Sequence, residues 1–172
     1  MTTRLLLLSD THIPQRARAL PAQVLAAIEA ADVVFHAGDW THESVLDDVE
    51  RRAPRLVGVY GNNDGDGLRG RLPEVARVMI EGLRFAMVHE TGPAAGREAR
   101  CAARFSDADV LVFGHSHIPW DSVAPGGLRL LNPGSPTDRR RQPACTYLTL
   151  VAEAGELREV TLVAVGRSTS AA

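Results

Sequence analysis

Five short apolar runs in this chain each end in a side chain able to hold a metal ion, and that placement constrains the fold more than any bulk property. Leu5–Leu8 runs into Asp10-Thr11-His12, Val33–Phe35 into Gly38-Asp39, and Leu56–Tyr60 into Gly61-Asn62. Leu83–Val88 runs into His89, and Val110–Phe113 into Gly114-His115-Ser116-His117. Runs so short and so continuously apolar read as buried strands. In α/β sheets the carboxyl edge of the strands is where ligands and catalytic groups gather. Random placement would scatter these side chains.

The intervening segments fit an α/β fold. Pro21 opens a helix expected through Ala30, with Val24, Leu25 and Ile28 on one face, and Thr41–Arg51 repeats Val45, Leu46 and Val49 at helical spacing. The pattern then turns to hairpins. Val75–Ile80 pairs with Leu83–His89 around Glu81-Gly82, Trp120–Val123 with Leu128–Leu131, and Thr146–Val151 with Glu156–Val165. Ala94–Phe105 reads as a further helix. One domain is expected over residues 1–166, with a flexible tail at 167–172.

Composition narrows the function classes. A formal net charge of −2 lacks the basic excess of proteins that wrap nucleic acid, although a nuclease that grips phosphate through metals stays compatible with it. Leu5–Leu8 is far too short to cross a bilayer and leads into Ser9-Asp10 with no cleavage-type sequence, so a cytoplasmic protein without membrane association is expected. Cys101 and Cys145 lie far apart and read as reduced thiols. A homo-oligomer is compatible with all of this.

The spacing of the polar residues carries chemistry. Asp10 and His12, two apart on a segment expected to be extended, would point the same way and reach one ion together. A carboxylate such as Asp39 can bridge two ions ~3.5–4 Å apart, and Gly38 lets the backbone pass close to so crowded a centre. Mixed imidazole and oxygen donors suit manganese, zinc, iron or nickel.

These motifs, in this order over residues 10–117, resemble the calcineurin-like metallophosphoesterase superfamily. The short chain, and Asn132-Pro133-Gly134-Ser135 after the last histidine motif, look like its small one-domain bacterial and archaeal phosphodiesterase branch. The resemblance implies a four-layer α/β/β/α sandwich and two divalent ions, manganese being the first choice. It implies that Asp10, His12 and His117 hold the first ion, that Asn62, His89 and His115 hold the second, and that Asp39 bridges. Asp39, Asn62 and His89 are then also the catalytic set. The implied reaction is hydrolysis of a small phosphodiester by in-line attack of a metal-bridging hydroxide.

Two positions depart from the family pattern. Asn63 stands where many members carry a histidine thought to protonate the leaving group, and an amide is no proton donor near pH 7. Weak activity on esters with poor leaving groups is therefore expected. Glu90 follows His89 where glycine is frequent, and either orients an imidazole or faces solvent. His36 reads as a structural histidine, His42 as an exposed helix-start residue, Trp40 as packing, and Arg139-Arg140-Arg141 as a solvated loop. The rival reading is a non-catalytic metal-binding or protein-interaction scaffold, as in a retromer subunit with this fold.

Overall fold

A computed structural model describes residues 1–166; the tail expected at 167–172 lies outside the described residues. Two five-stranded sheets face each other. The first is built from β1 (Thr2–Leu8), β2 (Val33–His36), β3 (Leu56–Gly58), β9 (Thr146–Glu153) and β10 (Glu156–Ala164), in the order β10-β9-β1-β2-β3. The second holds β4 (Val75–Ile80), β5 (Leu83–Val88), β6 (Val110–Val112), β7 (Trp120–Val123) and β8 (Arg129–Asn132), in the order β4-β5-β6-β8-β7.

Strand alternation builds the layers, because successive side chains leave a strand on opposite faces. Leu5, Leu7, Val33 and Phe35 point inward and meet Phe85, Met87, Val110 and Val112 of the opposite sheet. Leu6, Leu8 and Val34 point outward, against Val24 and Ile28 of α1 (Ala22–Ala30) and Val45, Leu46 and Val49 of α2 (Glu43–Arg52). Leu68 of α3 (Asp66–Arg71) joins that outer layer. Ala86, Val88, Leu111 and Leu130 instead cover Cys101 of α4 (Arg97–Arg104) and the adjacent Phe105. The result is the expected α/β/β/α sandwich. Strands buried on both faces explain why the apolar runs were unbroken.

Several expectations need correction. The second half is less antiparallel than its hairpins suggested: β5, β6 and β8 run parallel, and the hairpin β9–β10 leaves that sheet to pair β9 antiparallel with β1. Pro21 sits outside α1 at its N-cap, α2 begins at Glu43 rather than Thr41, and α4 begins at Arg97 rather than Ala94. Strand β3 stops at Gly58 rather than Tyr60, which frees Tyr60–Asp64 to form a loop. Helix α3 was not expected at all; its Gly67 and Gly70 have poor helix propensity.

Parallel β1, β2, β3, β5 and β6 all end at the same edge of the sandwich. One bond within the second sheet and one between the two sheets tie that edge together. Gly114 N–H donates to His89 O at 3.0 Å, and Ser135 Oγ donates to Asp10 O at 2.7 Å.

Candidate metal centre

The five motif loops meet at this edge, and the backbone there is unusual. Asp10, His12, Asp39, His115 and His117 all have positive φ, between 45° and 69°. Asp and His are among the residues that tolerate this left-handed region, yet each instance costs about 1–3 kcal/mol and persists only where the surroundings enforce it. Asp10 and His12 therefore converge by a mechanism other than the one their spacing suggested. The segment is a left-handed loop rather than an extended strand.

Glycines make the crowding feasible. A Cβ on Gly38 would lie 2.8 Å from both Gly61 N and His89 Nδ1, and one on Gly61 would lie 2.1 Å from Asp39 Oδ1. The close passage expected at Gly38 is present, and Gly61 shares it.

Two triads of ligand-capable side chains result, each with its donor atoms within 4.8 Å of one another: Asp10, His12 and His117, and Asp10, Asp39 and His89. His12 Nε2 and His117 Nε2 stand 3.1 Å apart, and Asp10 Oδ1 lies 3.4 Å from His117 Nε2. Asp39 Oδ2 is nearly equidistant from one histidine of each side, 3.5 Å from His12 Nε2 and 3.4 Å from His89 Nε2. Asn62 Oδ1 lies 3.0 Å from His89 Nε2 and 2.9 Å from His115 Nδ1. All seven residues singled out in the sequence are thus brought together. Asp10 belongs to both triads, while Asp39 Oδ2 lies between His12 and His89.

Their environments differ. Asp10, His12 and His117 are buried, whereas His115 keeps 43% of its side chain exposed. Asn62 and His89 open onto a cleft of about 610 Å³.

One atom tests whether cations fit. Asp10 is fully buried; its Oδ2 accepts from Ser9 Oγ at 2.6 Å and from His115 N–H at 3.0 Å. Its Oδ1 is buried with no hydrogen-bond partner. An orphaned carboxylate oxygen is costly unless a cation faces it. The donor set around it, imidazole nitrogens and carboxylate oxygens, fits divalent transition ions.

Titration follows the same geometry. Burial opposes charge on Asp10, yet the neighbouring His117, His12 and His89 outweigh it and hold the carboxyl well below the usual range. Burial also pulls His89 down, but its hydrogen bond to Asp39 and the charges of Asp10 and Asp39 prevail, raising it to about 9. Burial drops His36 to about 3. It stays neutral, accepting from Gly38 N–H at 3.3 Å and stacking on Trp40 at 3.5 Å, which supports its structural reading.

Supporting residues complete the cage, and most were invisible in the sequence. His89 Nδ1–H donates to Ala37 O and His117 Nδ1–H to Asp138 O, both at 2.7 Å, which turns each Nε2 toward the centre. Asp64 accepts from the N–H groups of Asp39 (3.0 Å), Thr41 (2.7 Å) and Gly61 (2.7 Å), clamping two motif loops. Asn63 donates to both oxygens of Asp39, from its N–H at 2.9 Å and its Nδ2 at 2.6 Å. Glu90 lies nearer His115 than His89, with Oε1 3.9 Å from His115 Nε2. Asn132 Nδ2 donates to Gly114 O at 2.9 Å, so the Asn132–Ser135 turn braces two motif loops from below. His42 is exposed and caps α2 by accepting from Ser44 N–H, while Trp40 is buried, as read from the sequence. Asn63, Glu90 and the Asn132–Ser135 turn stand out in the sequence, but the Ala37 and Asp138 carbonyls and the Asp64 hold on Asp39 are set by long-range packing.

A model of the calcineurin-like phosphoesterase superfamily domain matches residues 3–155. The chain belongs to that superfamily. A probable metallophosphoesterase of Methanothermobacter thermautotrophicus is 36% identical over 153 residues, covering 85% of each chain. Another, from Mycoplasma genitalium, is 29% identical over 170 residues, covering 92% of this chain and 93% of its relative. Among solved structures, a Thermotoga maritima protein is 31% identical with a TM-score of 0.75, covering 95% of this chain and 99% of that one. Zinc-complexed Vps29 of Entamoeba histolytica shares the fold at 24% identity and a TM-score of 0.74, covering 94% and 98%. The superfamily is metal-dependent, and this calcineurin-like phosphoesterase carries Asp/His clusters able to bind metal. Among the described residues no helix is long and apolar enough to cross a membrane.

Proposed function

We propose that this calcineurin-like phosphoesterase is a dinuclear-metal phosphodiesterase acting on a small phosphate ester in the cytoplasm. The observation that carries the reading is the orphaned, fully buried Asp10 Oδ1 at the meeting point of two ligand-capable triads. Asp10, His12 and His117 would hold a first divalent ion; Asn62, His89 and His115 would hold a second; Asp39 Oδ2 would be shared. Manganese is the preferred metal. Bound there, such ions supply Lewis acidity and a water acidified toward pKa ~7.

The chain's own residues do the rest. Ser9 and the His115 N–H hold one Asp10 oxygen, so the other is aimed inward. Asn63 and Asp64 fix Asp39, and the Ala37 and Asp138 carbonyls set the histidine tautomers. The neutral Asn62, standing where a third carboxylate could have been, favours an anionic substrate. The open side at His115 and the cleft beside His89 admit it. Asn63 spends its amide on Asp39 and brings no proton for the leaving group.

The assay follows directly. Manganese-loaded protein is expected to hydrolyse an activated aryl phosphodiester faster than the corresponding monoester, and an alkyl diester only weakly. Metal-free protein turning over at the loaded rate would refute the reading, and binding of metal with no turnover of either ester would favour the scaffold alternative. Equal rates on aryl and alkyl diesters would reveal a proton donor other than Asn63.

Metal uptake should depend on pH. With its pKa raised to about 9, metal-free His89 carries a second proton at neutral pH, and a cation bound at Nε2 must displace it. Affinity should therefore rise with pH up to about 9, by as much as ~10-fold per unit from this group alone. Calorimetry in buffers of different ionisation enthalpy would show proton release on binding. A flat affinity between pH 6.5 and 8.5 would contradict it.

A further inference from the structure

We infer that Arg69 forms an anion subsite in the cleft beside Asn62 and His89, selecting substrates that carry a second phosphate near the scissile one. The cleft of about 610 Å³ is lined by Tyr60, Asn62, Arg69, His89, Glu90 and Arg104, among others, and falls within the size range of small-molecule sites. Arg69 lies at the surface yet is held from several directions. Its Nε donates to Asp64 O at 2.7 Å, and its Nη2 to Gly61 O at 3.1 Å and Asn62 O at 3.4 Å. Its guanidinium also lies over the Tyr60 ring, 4.5 Å from the centroid.

Every one of those partners is neutral, so nothing in the set cancels the charge. The contrast with Arg104 in the same cleft is instructive, since its guanidinium faces Glu74 at 3.8 Å. Holding a long side chain in one place forfeits rotamer entropy, and here that loss is met before any ligand arrives. The Nη1 group has no partner in these contacts. A planar, pre-positioned guanidinium with unused N–H donors suits a phosphate. Its location ties it to the metal cage: Arg69 grips the main-chain oxygen of Asn62, whose side-chain oxygen faces His89 and His115. A second phosphate a few bonds from the reacting one would reach it.

The kinetic consequence rests on the phosphodiesterase reading; the binding consequence does not. Two 4-nitrophenyl esters of thymidine 5′-phosphate, one with and one without a 3′-phosphate, share the leaving group and differ only in the added anion. The wild type is expected to favour the 3′-phosphorylated ester by about 10-fold or more in kcat/KM, mainly through KM. Arg69→Met should bring that ratio within about 3-fold, a readout that any loss common to both esters leaves unmoved. Arg141→Met, a control for general charge, should leave the ratio unchanged.

Calorimetry on manganese-loaded protein with thymidine 3′,5′-bisphosphate and thymidine 5′-monophosphate should show the same preference and the same loss in Arg69→Met. Equal decline with both esters or both nucleotides would mean that Arg69 only braces the Asn62 loop, and would overturn the proposal. So would a wild type without preference, or an equal loss in Arg141→Met. A preference in binding that depends on Arg69, with neither ester hydrolysed, would uphold the subsite and reject the catalytic reading.

Discussion

Asp39→Asn is expected to lower metal-dependent kcat/KM by at least about 10³-fold, or ~4 kcal/mol of transition-state stabilisation, while leaving the metal-free fold intact. The side chain is isosteric and the Asp39 N–H still donates to Asp64, so the loop keeps its shape. What changes is the oxygen proposed to be shared between two ions. Asp39 Oδ2 lies 3.5 Å from His12 Nε2 and 3.4 Å from His89 Nε2, and it accepts from Asn63 Nδ2. An amide nitrogen there would face the Asn63 donor and supply no negative charge to either ion. Metal stoichiometry should fall from two to one, measured by elemental analysis after gel filtration. The metal-induced rise in Tm should shrink as well. Saturation at ~100 times Kd stabilises the native state by ~2.7 kcal/mol, worth roughly 5–10 °C for a domain of this size. Unchanged stoichiometry together with unchanged activity would remove Asp39 from the centre.

Gly114→Ala should damage fold and site together. A Cβ at Gly114 would sit 1.9 Å from Ser9 Oγ, 3.0 Å from Ser9 Cβ and 2.8 Å from Asp10 Oδ2. Ser9 and Asp10 are each fully buried, so neither has solvent to move into. Relief requires displacing the strand end that presents Asp10, at a cost of about 1–3 kcal/mol or more for an overpacked interior. That corresponds to a Tm lower by roughly 2–12 °C. A ~1 Å displacement of Asp10 would separately cost activity on the order of 10²-fold. Ser9→Gly in the same chain removes the two nearest Ser9 atoms, and should restore part of the Tm in a double-mutant cycle. Activity should recover less, because Ser9 Oγ also holds Asp10 Oδ2. Additive Tm losses would show that the clash is relieved elsewhere.

Much of the fold is legible in the sequence. Leu5–Leu8 and Val33–Phe35 declare strands buried on both faces, and Val45, Leu46 and Val49 declare one face of a helix. These signals are local, so neighbouring residues suffice to reveal them. Helix α3 leaves little local signal, because Gly67 and Gly70 weaken its propensity and Leu68 is its one buried residue. The pairing of β9 with β1 spans most of the chain, and no local pattern announces it.

For the site, the sequence by itself determined which side chains are available and that each follows a strand: Asp10, His12, Asp39, Asn62, His89, His115 and His117. The tertiary structure alone decided how they converge. Left-handed backbone, not an extended pleat, turns Asp10 and His12 to one point, and glycines at positions 38, 61 and 114 let the loops close on one another. It alone assigned the carbonyls of Ala37 and Asp138 and the Asp64 hold on Asp39, because those contacts join distant segments, and it set the Arg69 perch through the turn that leads into α3. Residue chemistry is a property of the chain. Orientation is enforced by packing, through partners that sequence proximity does not reveal.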